Sequence, residues 1–155
     1  MEIGEFGYWD SEIGEFGDWG LEIGEFGYWE EQMPTFRDLR IWQDSIRLMM
    51  EIHKLCSQLP REERFQLIDQ ATRSSSSVPD NIAEGYASYH YKDKINRFYD
   101  SRKEAAETQN HVIKMATKRY IKRETAENLF NEYLILIKGI NGYVNYLKRK
   151  RGDLR

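Results

Sequence analysis

Apolar residues recur every three or four positions, almost without interruption, between residues 36 and 150. This spacing places them on one face of an α-helix and does not fit the two-residue alternation of a half-buried β-strand. The chain has only three prolines, so long helices are permitted. No apolar run approaches the roughly 20 residues that span a membrane. We therefore predict an all-α fold and no membrane partner.

The first predicted helix runs from about residue 38 to residue 59, where two adjacent apolar stripes continue at three- and four-residue steps. Thr35 or Asp38 can cap its first turn. Pro60 ends it, because the residue before a proline is driven out of the helical region. The acidic residues that follow Pro60 suit the first turn of a second helix. We expect Phe65 to lie on the inner face of that second helix.

The second helix contains Pro79, whose ring opposes a regular helix. We expect a kink at this proline, with a division into two helices as the alternative. The third helix starts near Lys92, and the fourth follows Tyr120, either with Thr125 as its cap or with a start a few residues earlier. Four long helices with short connections predict an up-down-up-down antiparallel four-helix bundle over residues 36–150.

The fourth helix carries more apolar surface than one stripe. Beside its inner-face residues it has three consecutive apolar side chains, Leu134, Ile135 and Leu136. A helix that is apolar on more than one face needs more than one neighbour. We therefore predict that these three residues take part in a subunit interface and that the protein is a homo-oligomer.

A different kind of sequence precedes the bundle. Residues 1–32 consist of three decapeptides that share the pattern Glu-Ile-Gly-Glu-Phe-Gly, followed by Tyr-Trp or Asp-Trp. Two glycines in every ten residues oppose a helix, and an apolar spacing of three fits neither a strand nor a long α-helix. The predicted organisation is therefore an N-terminal repeat extension at 1–32, the bundle at 36–150 and a basic tail at 151–155.

Charge divides at the same boundary. Ten of the 26 acidic residues and none of the 23 basic residues lie in residues 1–32, so this extension carries −10 and the rest of the chain +7. Two interpretations of the extension stay open. It is a segment without fixed structure that arose by duplication of a short coding unit, or it is an acidic arm that docks on a basic or apolar groove and competes there with a polyanion.

Basic residues concentrate at two places. One group surrounds the turn between the third and fourth helices, at the end that also holds Arg61 and Arg64, and the other closes the fourth helix. No base-reading motif accompanies them, so we predict nucleic-acid binding that is independent of sequence, with a merely solvated surface as the alternative. The predicted nucleic-acid-binding residues are Lys114, Lys118, Arg119, Lys122, Arg123, Lys148, Arg149, Lys150 and Arg151.

Catalytic and metal-binding patterns are missing from the sequence. His53 and Cys56 lie one helical turn apart, but a structural zinc site needs four ligands. Glu107 and His111 occur once and four residues apart, whereas di-iron bundles use Glu-x-x-His twice. Cys56 has no recognisable partner for nucleophilic catalysis and, as a single cysteine, fits the reducing cytoplasm. We predict a non-enzymatic protein with no cofactor and no metal.

Several segments occur in the order and spacing of a known family: residues 36–43, residues 59–65, Gln70, Arg73 and residues 78–85. The pattern resembles the four-helix bundle proteins encoded by intervening sequences in bacterial 23S ribosomal RNA genes. It is more distantly similar to the accessory variability protein of diversity-generating retroelements. The residues that we assign to the family motif, in a structural role, are Trp42, Pro60, Arg73, Pro79, Asn81, Ile82, Ala83, Glu84 and Gly85.

The resemblance covers roughly residues 36–150 and leaves the repeats outside. It implies a left-handed bundle that assembles as a homopentamer with a central channel and a basic surface. It attaches no catalytic activity to the chain, and its retroelement relatives bind a reverse transcriptase and nucleic acid. Ser74 and Ser75 depart from the small apolar pair that the family pattern leads us to expect.

These observations together predict a non-enzymatic, homopentameric nucleic-acid-binding or accessory protein of the cytoplasm. Its expected partners are further copies of itself, RNA or DNA, and a reverse transcriptase or another protein client. The alternative is a structural assembly protein in which residues 1–32 mediate protein–protein contacts.

Overall fold

The computed structural model describes residues 34–152, and four α-helices account for most of them. No strand occurs in this range, and none of its helices is long and apolar enough to cross a membrane. The all-α prediction is confirmed, whereas the predicted repeat extension and residues 153–155 lie outside the described residues. The helices are α1 (Arg40–Cys56), α2 (Asp69–Ala87), α3 (Tyr91–Thr117) and α4 (Arg123–Arg151).

Consecutive helices pack against each other, and α4 closes the bundle against α1. Arg47 of α1 and Glu132 of α4 form an ion pair with an N–O distance of 2.5 Å. Nearer the start of α1, Ile41 faces Gly139, where an added Cβ would come within 2.9 Å of the isoleucine. The contact that lies nearer the start of α1 lies nearer the end of α4, so the two helices are antiparallel. The up-down-up-down four-helix bundle is confirmed.

The core is a continuous column of aliphatic and aromatic side chains from all four helices. It also contains small hydroxyl groups between α2 and α3. The hydroxyls of Ser74 and Thr108 lie 2.8 Å apart, and Ser101 donates to the carbonyl of Val78. Because the buried hydroxyls are hydrogen-bonded, the departure from the family pattern at Ser74 adds no unpaired group to the core.

The segment that leads into α2 does not bury the helix face that the sequence predicted to be the inner one. The chain makes a 3-10 turn at Arg61–Glu63 and then a π-helical turn at Arg64–Ile68. Glu63 and Leu67 are buried, and the residues between them face solvent. Phe65 is 85% exposed, so its predicted inward position is wrong. A π-turn contains one more residue than an α-turn and rotates the preceding side chains relative to the rest of the helix.

The predicted helix boundaries also need correction. Thr35 caps a one-turn 3-10 helix at Phe36–Asp38, and α1 begins only at Arg40. The Thr35 hydroxyl accepts from the Arg37 N–H, while its own N–H donates to the Asp38 carboxylate. At Pro79, where the sequence allowed either a kinked helix or two helices, α2 continues without interruption. The alternative of two separate helices at this proline is therefore wrong.

Candidate nucleic-acid interface

The two predicted basic groups lie at opposite ends of the bundle. We call the end formed by the α1–α2 connection and the α3–α4 turn the Glu63 end. The opposite end, where the Tyr86 hydroxyl donates to the Pro34 carbonyl, is the Pro34 end. Residues 148–151 lie at the Pro34 end. The Glu63 end carries what we call the turn cluster, Lys114, Lys118, Arg119, Lys122 and Arg123, all of which are exposed.

The α3–α4 turn has a defined backbone that presents these cations. Arg119 has a φ of 62°, the left-handed conformation that commonly ends a helix. Its N–H donates to the Ala116 carbonyl, and the Tyr120 N–H donates to the Met115 carbonyl, each at 2.9 Å. This pair of bonds is a Schellman motif and fixes the direction in which the chain leaves α3.

The start of α4 lies earlier than the predicted cap. Lys122 has the extended backbone of an N-cap residue, and α4 begins at Arg123, so Thr125 is not the cap. Arg123 forms a solvent-exposed ion pair with Glu127 at an N–O distance of 3.7 Å. An exposed pair of this kind is weak, and the guanidinium therefore stays available to other anions.

Glu63 ties the turn to the start of α2. Its carboxylate is almost fully buried, and its Oε1 accepts hydrogen bonds from the Lys118 ammonium and, at 2.8 Å, from the Tyr120 hydroxyl. The hydrogen bonds from Lys118 and Tyr120 lower the pKa of Glu63, and the same carboxylate raises the pKa of Lys118. The charge of Lys118 is thus largely compensated within the chain, so this lysine holds the turn in place rather than offering a full free cation.

A cleft of about 500 Å³ opens at this end, between the π-turn and the last turns of α3. Its walls carry amide, ammonium and hydroxyl groups over an apolar floor at Leu67. The lining residues are Glu63, Gln66, Leu67, Gln70, Lys114, Thr117 and Lys118. The sequence did not point to this cleft, because the two glutamines approach Lys114 only when α2 packs against α3.

The basic group at the Pro34 end has a local explanation. Four consecutive cations occupy the last turn of α4, where positive charge stabilises the negative end of the helix dipole. The Lys148 ammonium lies 5.5 Å from the centre of the Tyr99 ring, and that of Lys150 lies 5.6 Å from the centre of the Tyr146 ring. Arg149 and Arg151 are exposed beside them. These contacts account for the position of the group without a ligand, so the turn cluster is the stronger candidate.

The exposed ring of Phe65 is a feature of the Glu63 end that sequence reasoning missed. The Arg64 guanidinium carbon lies 5.4 Å from the ring centre, and Gln66, the next residue, lines the cleft. A signal was present in the sequence. Leu67 and Ala71 are four residues apart and define a helix face that excludes Phe65.

The three residues predicted for a subunit interface do not share one environment. Leu136 is 2% exposed and packs in the core of its own chain, so it is better assigned to the core than to an interface. Ile135 is 65% exposed, and Leu134 is also exposed. Because a helix turns by about 100° per residue, Leu136 points inward although Leu134 and Ile135 beside it in the sequence face solvent. The predicted subunit interface is thereby reduced to Leu134 and Ile135.

Two of the family-motif residues, Gly85 and Glu84, contribute to the pairing of α2 with α3. An added Cβ at Gly85 would lie 3.0 Å from both the Arg97 Cβ and the Phe98 ring, so a larger residue would press against both side chains. Glu84 pairs with Arg97, and the Asn81 amide donates to the Ser77 carbonyl one turn back. The other motif residues are Trp42, which packs on Phe36, buried Pro79 and Ile82, half-buried Ala83, and exposed Pro60 and Arg73.

The candidate metal ligands have other partners. Within residues 34–152, no group of three or more His, Cys, Asp or Glu side chains is arranged to hold a metal ion. His53 Nε2 lies 3.1 Å from the Ser76 hydroxyl, and His111 Nε2 lies 3.3 Å from the Glu107 carboxylate. Burial raises the pKa of the Cys56 thiol to about 11, which keeps it protonated near neutral pH and poorly nucleophilic.

Comparison with known proteins places these features in a family. The family described as 23S rRNA-intervening sequence protein matches residues 37–142. No curated protein matches the chain. The fold is similar to the crystal structure of a protein of unknown function from the S23 ribosomal protein family of Bacteroides thetaiotaomicron. The two chains are 26% identical, with a TM-score of 0.63, over 68% of this chain and 95% of the other.

Proposed function

Because the chain belongs to the family of 23S rRNA-intervening sequence proteins, we propose that it is a non-enzymatic, homopentameric bundle that binds RNA or DNA without reading the sequence. The observation that carries this proposal is the turn cluster, where exposed cations surround a turn of fixed backbone geometry at one end of the bundle. Contacts from lysine and arginine to phosphates supply most of the affinity in sequence-independent binding.

Three members of the turn cluster have charges that residues 34–152 do not compensate. In the part of the chain that the structure describes, no carboxylate lies within ion-pair distance of Lys114, Arg119 or Lys122. Three cations alone bind a polyanion weakly at physiological salt. Assembly into a pentamer repeats the cluster five times and multiplies the phosphate contacts without further sequence.

Two further parts of the proposal, a protein client and a cytoplasmic location, are supported by the sequence. The similarity to retroelement accessory proteins supports a reverse transcriptase or another protein client as an additional partner. A cytoplasmic location is supported by Cys56, the single cysteine of the chain, which is a free buried thiol.

The proposal is tested by titrating labelled RNA and DNA duplexes and single strands with the full chain across a range of salt concentrations. Binding that weakens linearly with the logarithm of salt is expected. Lys114→Gln and Lys122→Gln should each weaken binding and lower the salt slope, because each removes about one phosphate contact for every subunit that touches the strand. Lys103→Gln, on the exposed middle of α3, is the matched control. A wild-type protein that ignores every polyanion at low salt would overturn the proposal.

The alternative is a structural assembly protein whose acidic aromatic repeats join particles or bind a client. It is favoured by the nine large apolar side chains that recur in register in residues 1–32. Deletion of residues 1–32 separates the two functions. Loss of higher assembly with unchanged polyanion binding supports the alternative, whereas tighter polyanion binding shows that the acidic repeats compete with nucleic acid for the bundle.

A further inference from the structure

Phe65 exposes a flat apolar ring at the end of the bundle that carries the turn cluster. The ring is 85% exposed, although phenylalanine is among the residue types most often buried. Its neighbours Arg64 and Gln66 are exposed as well, so the three side chains form one outward-facing patch. A phenyl ring beside the Arg64 guanidinium is a poor solvated surface but a suitable surface for a planar group that belongs to a negatively charged ligand.

The backbone holds the ring outward. Glu63 and Leu67, on either side of it, are buried, and Glu63 is fixed by hydrogen bonds from Lys118 and Tyr120. The π-turn at Arg64–Ile68 joins these anchors to α2. Phe65 therefore cannot turn inward without breaking the contacts that attach the α3–α4 turn to the rest of the bundle. Such π-turns are frequent at functional sites.

The charges at this end of the bundle determine which kind of planar ligand the Phe65 ring can bind. The Arg64 guanidinium carbon lies 5.4 Å from the ring centre, and the turn cluster shares the same end through the contact between Glu63 and Lys118. Gln66, which follows Phe65 in the chain, lines the cleft, and Gln70 and Lys114 offer amide and ammonium donors there. Aromatic rings beside a basic track are the arrangement with which proteins bind single-stranded nucleic acid.

We propose that Phe65 is a stacking platform for an unpaired base, with the turn cluster holding the adjacent phosphates, so that the protein prefers single-stranded over double-stranded nucleic acid. This inference rests on the proposed nucleic-acid function and extends it. The bases of a duplex are already stacked on one another and offer no free face to the ring, whereas those of a single strand do. Every base has such a face, so the platform adds strand preference without sequence preference.

The test compares Phe65→Ala with the wild-type full chain in titrations of oligouridine, oligothymidine and a duplex RNA of equal length. Loss of a stacked base should weaken binding of both single strands by about ten-fold and leave duplex binding unchanged. The salt slope should stay at the wild-type value, because stacking releases no counterions. Phe65→Trp, which keeps an aromatic face, should restore single-strand binding.

Tyr89→Ala is the matched control, because Tyr89 is 90% exposed but lies at the Pro34 end. This variant should bind all three probes as the wild type does. The inference is overturned if Phe65→Ala binds single strands normally, or weakens single-strand and duplex binding equally. It is also overturned if the native mass of Phe65→Ala falls, which would assign the ring to a contact between subunits. If instead the wild type binds no probe at low salt, the proposed function itself fails.

Discussion

At the scale of single residues, the buried carboxylate of Glu63 connects the two halves of the Glu63 end. It joins the start of α2 to the α3–α4 turn through Lys118 and Tyr120, and it does so by charge-assisted hydrogen bonds. Removing one partner from such a buried group leaves the other without its compensating charge. The position of the turn cluster therefore depends on a buried carboxylate that is not itself part of the cluster.

The lowered pKa of Glu63 predicts how this contact responds to acid. A carboxyl whose pKa is lowered by folding stabilises the folded state above its ordinary value of 4.5, and loses this contribution as the pH falls through the lowered value. Wild type should therefore be more stable than Glu63→Gln near neutral pH, and the difference should shrink below about pH 4.5. Urea unfolding of both proteins at several pH values measures this. Glu62→Gln, at the exposed neighbouring position, is the control, and a difference that persists undiminished in acid would contradict the assignment.

At the scale of elements, the most extensive contact between two of the described helices is that of α2 with α3, and a glycine and small hydroxyl side chains line it. Gly85 brings the backbone of α2 against Arg97 and Phe98 of α3, and the hydroxyls of Ser74 and Thr108 meet further along the same pair. The side of the bundle formed by α1 and α4 combines a glycine contact, Gly139 against Ile41, with the longer ion pair of Arg47 and Glu132. Gly85 and Glu84 of the family motif thus contribute to the packing of α2 against α3.

Two glycine-to-alanine substitutions distinguish packing from helix propensity. At Gly85, the new methyl group would overlap Arg97 and Phe98, so Gly85→Ala should lower the free energy of unfolding by about 1–3 kcal/mol. At Gly142, inside α4, the new Cβ would meet no neighbour among residues 34–152 beyond its own helix backbone, so Gly142→Ala should raise the free energy of unfolding by about 0.5–1 kcal/mol. Chemical denaturation of the two variants beside the wild type checks both signs. Equal effects at the two sites would show that the α2–α3 contact is less tight than described.

At the scale of the whole molecule, the bundle has one candidate interface for nucleic acid and a separate one for self-association. The turn cluster lies at the Glu63 end, whereas Leu134 and Ile135 lie on the outer face near the middle of α4. A ring of subunits needs two different surfaces on each copy, because its contacts are head-to-tail. Separate positions allow a subunit to assemble through α4 while its basic end stays open.

Ile135→Lys tests the self-association surface. A charge placed on this exposed apolar position should prevent the contact, so the native mass should fall from the proposed five copies of the 18.5 kDa chain toward one copy. Size-exclusion chromatography with light scattering measures the mass, and circular dichroism should show unchanged helix content. Asn96→Lys adds the same charge to the exposed face of α3 and should leave the mass unchanged. An unaltered mass in Ile135→Lys would remove the outer face of α4 from the interface.

The sequence predicted the local features that depend on neighbours along the chain. The helical repeat, the end of the first helix before Pro60 and the inward stripe from Ala126 to Leu147 all follow from spacing within one helix. The turn cluster could be grouped for the same reason, since two helices joined by a short turn must bring their adjoining ends together. A helix face is defined by residues only three or four positions apart, and the one-dimensional pattern contains that information.

Tertiary packing decided which of several possible faces became the inner one. It turned Phe65 outward through the π-turn, buried Leu136 beneath Ile135, and gave Lys118 a carboxylate partner 55 residues away in the chain. Each outcome depends on which side chains of other helices fill the space beside the residue, because spacing within a single helix offers more than one inner face and does not decide between them. The sequence by itself determined four amphipathic helices and their basic ends. Only their mutual packing determined which cations stay free and which aromatic ring faces solvent, because burial is a property of the assembled core.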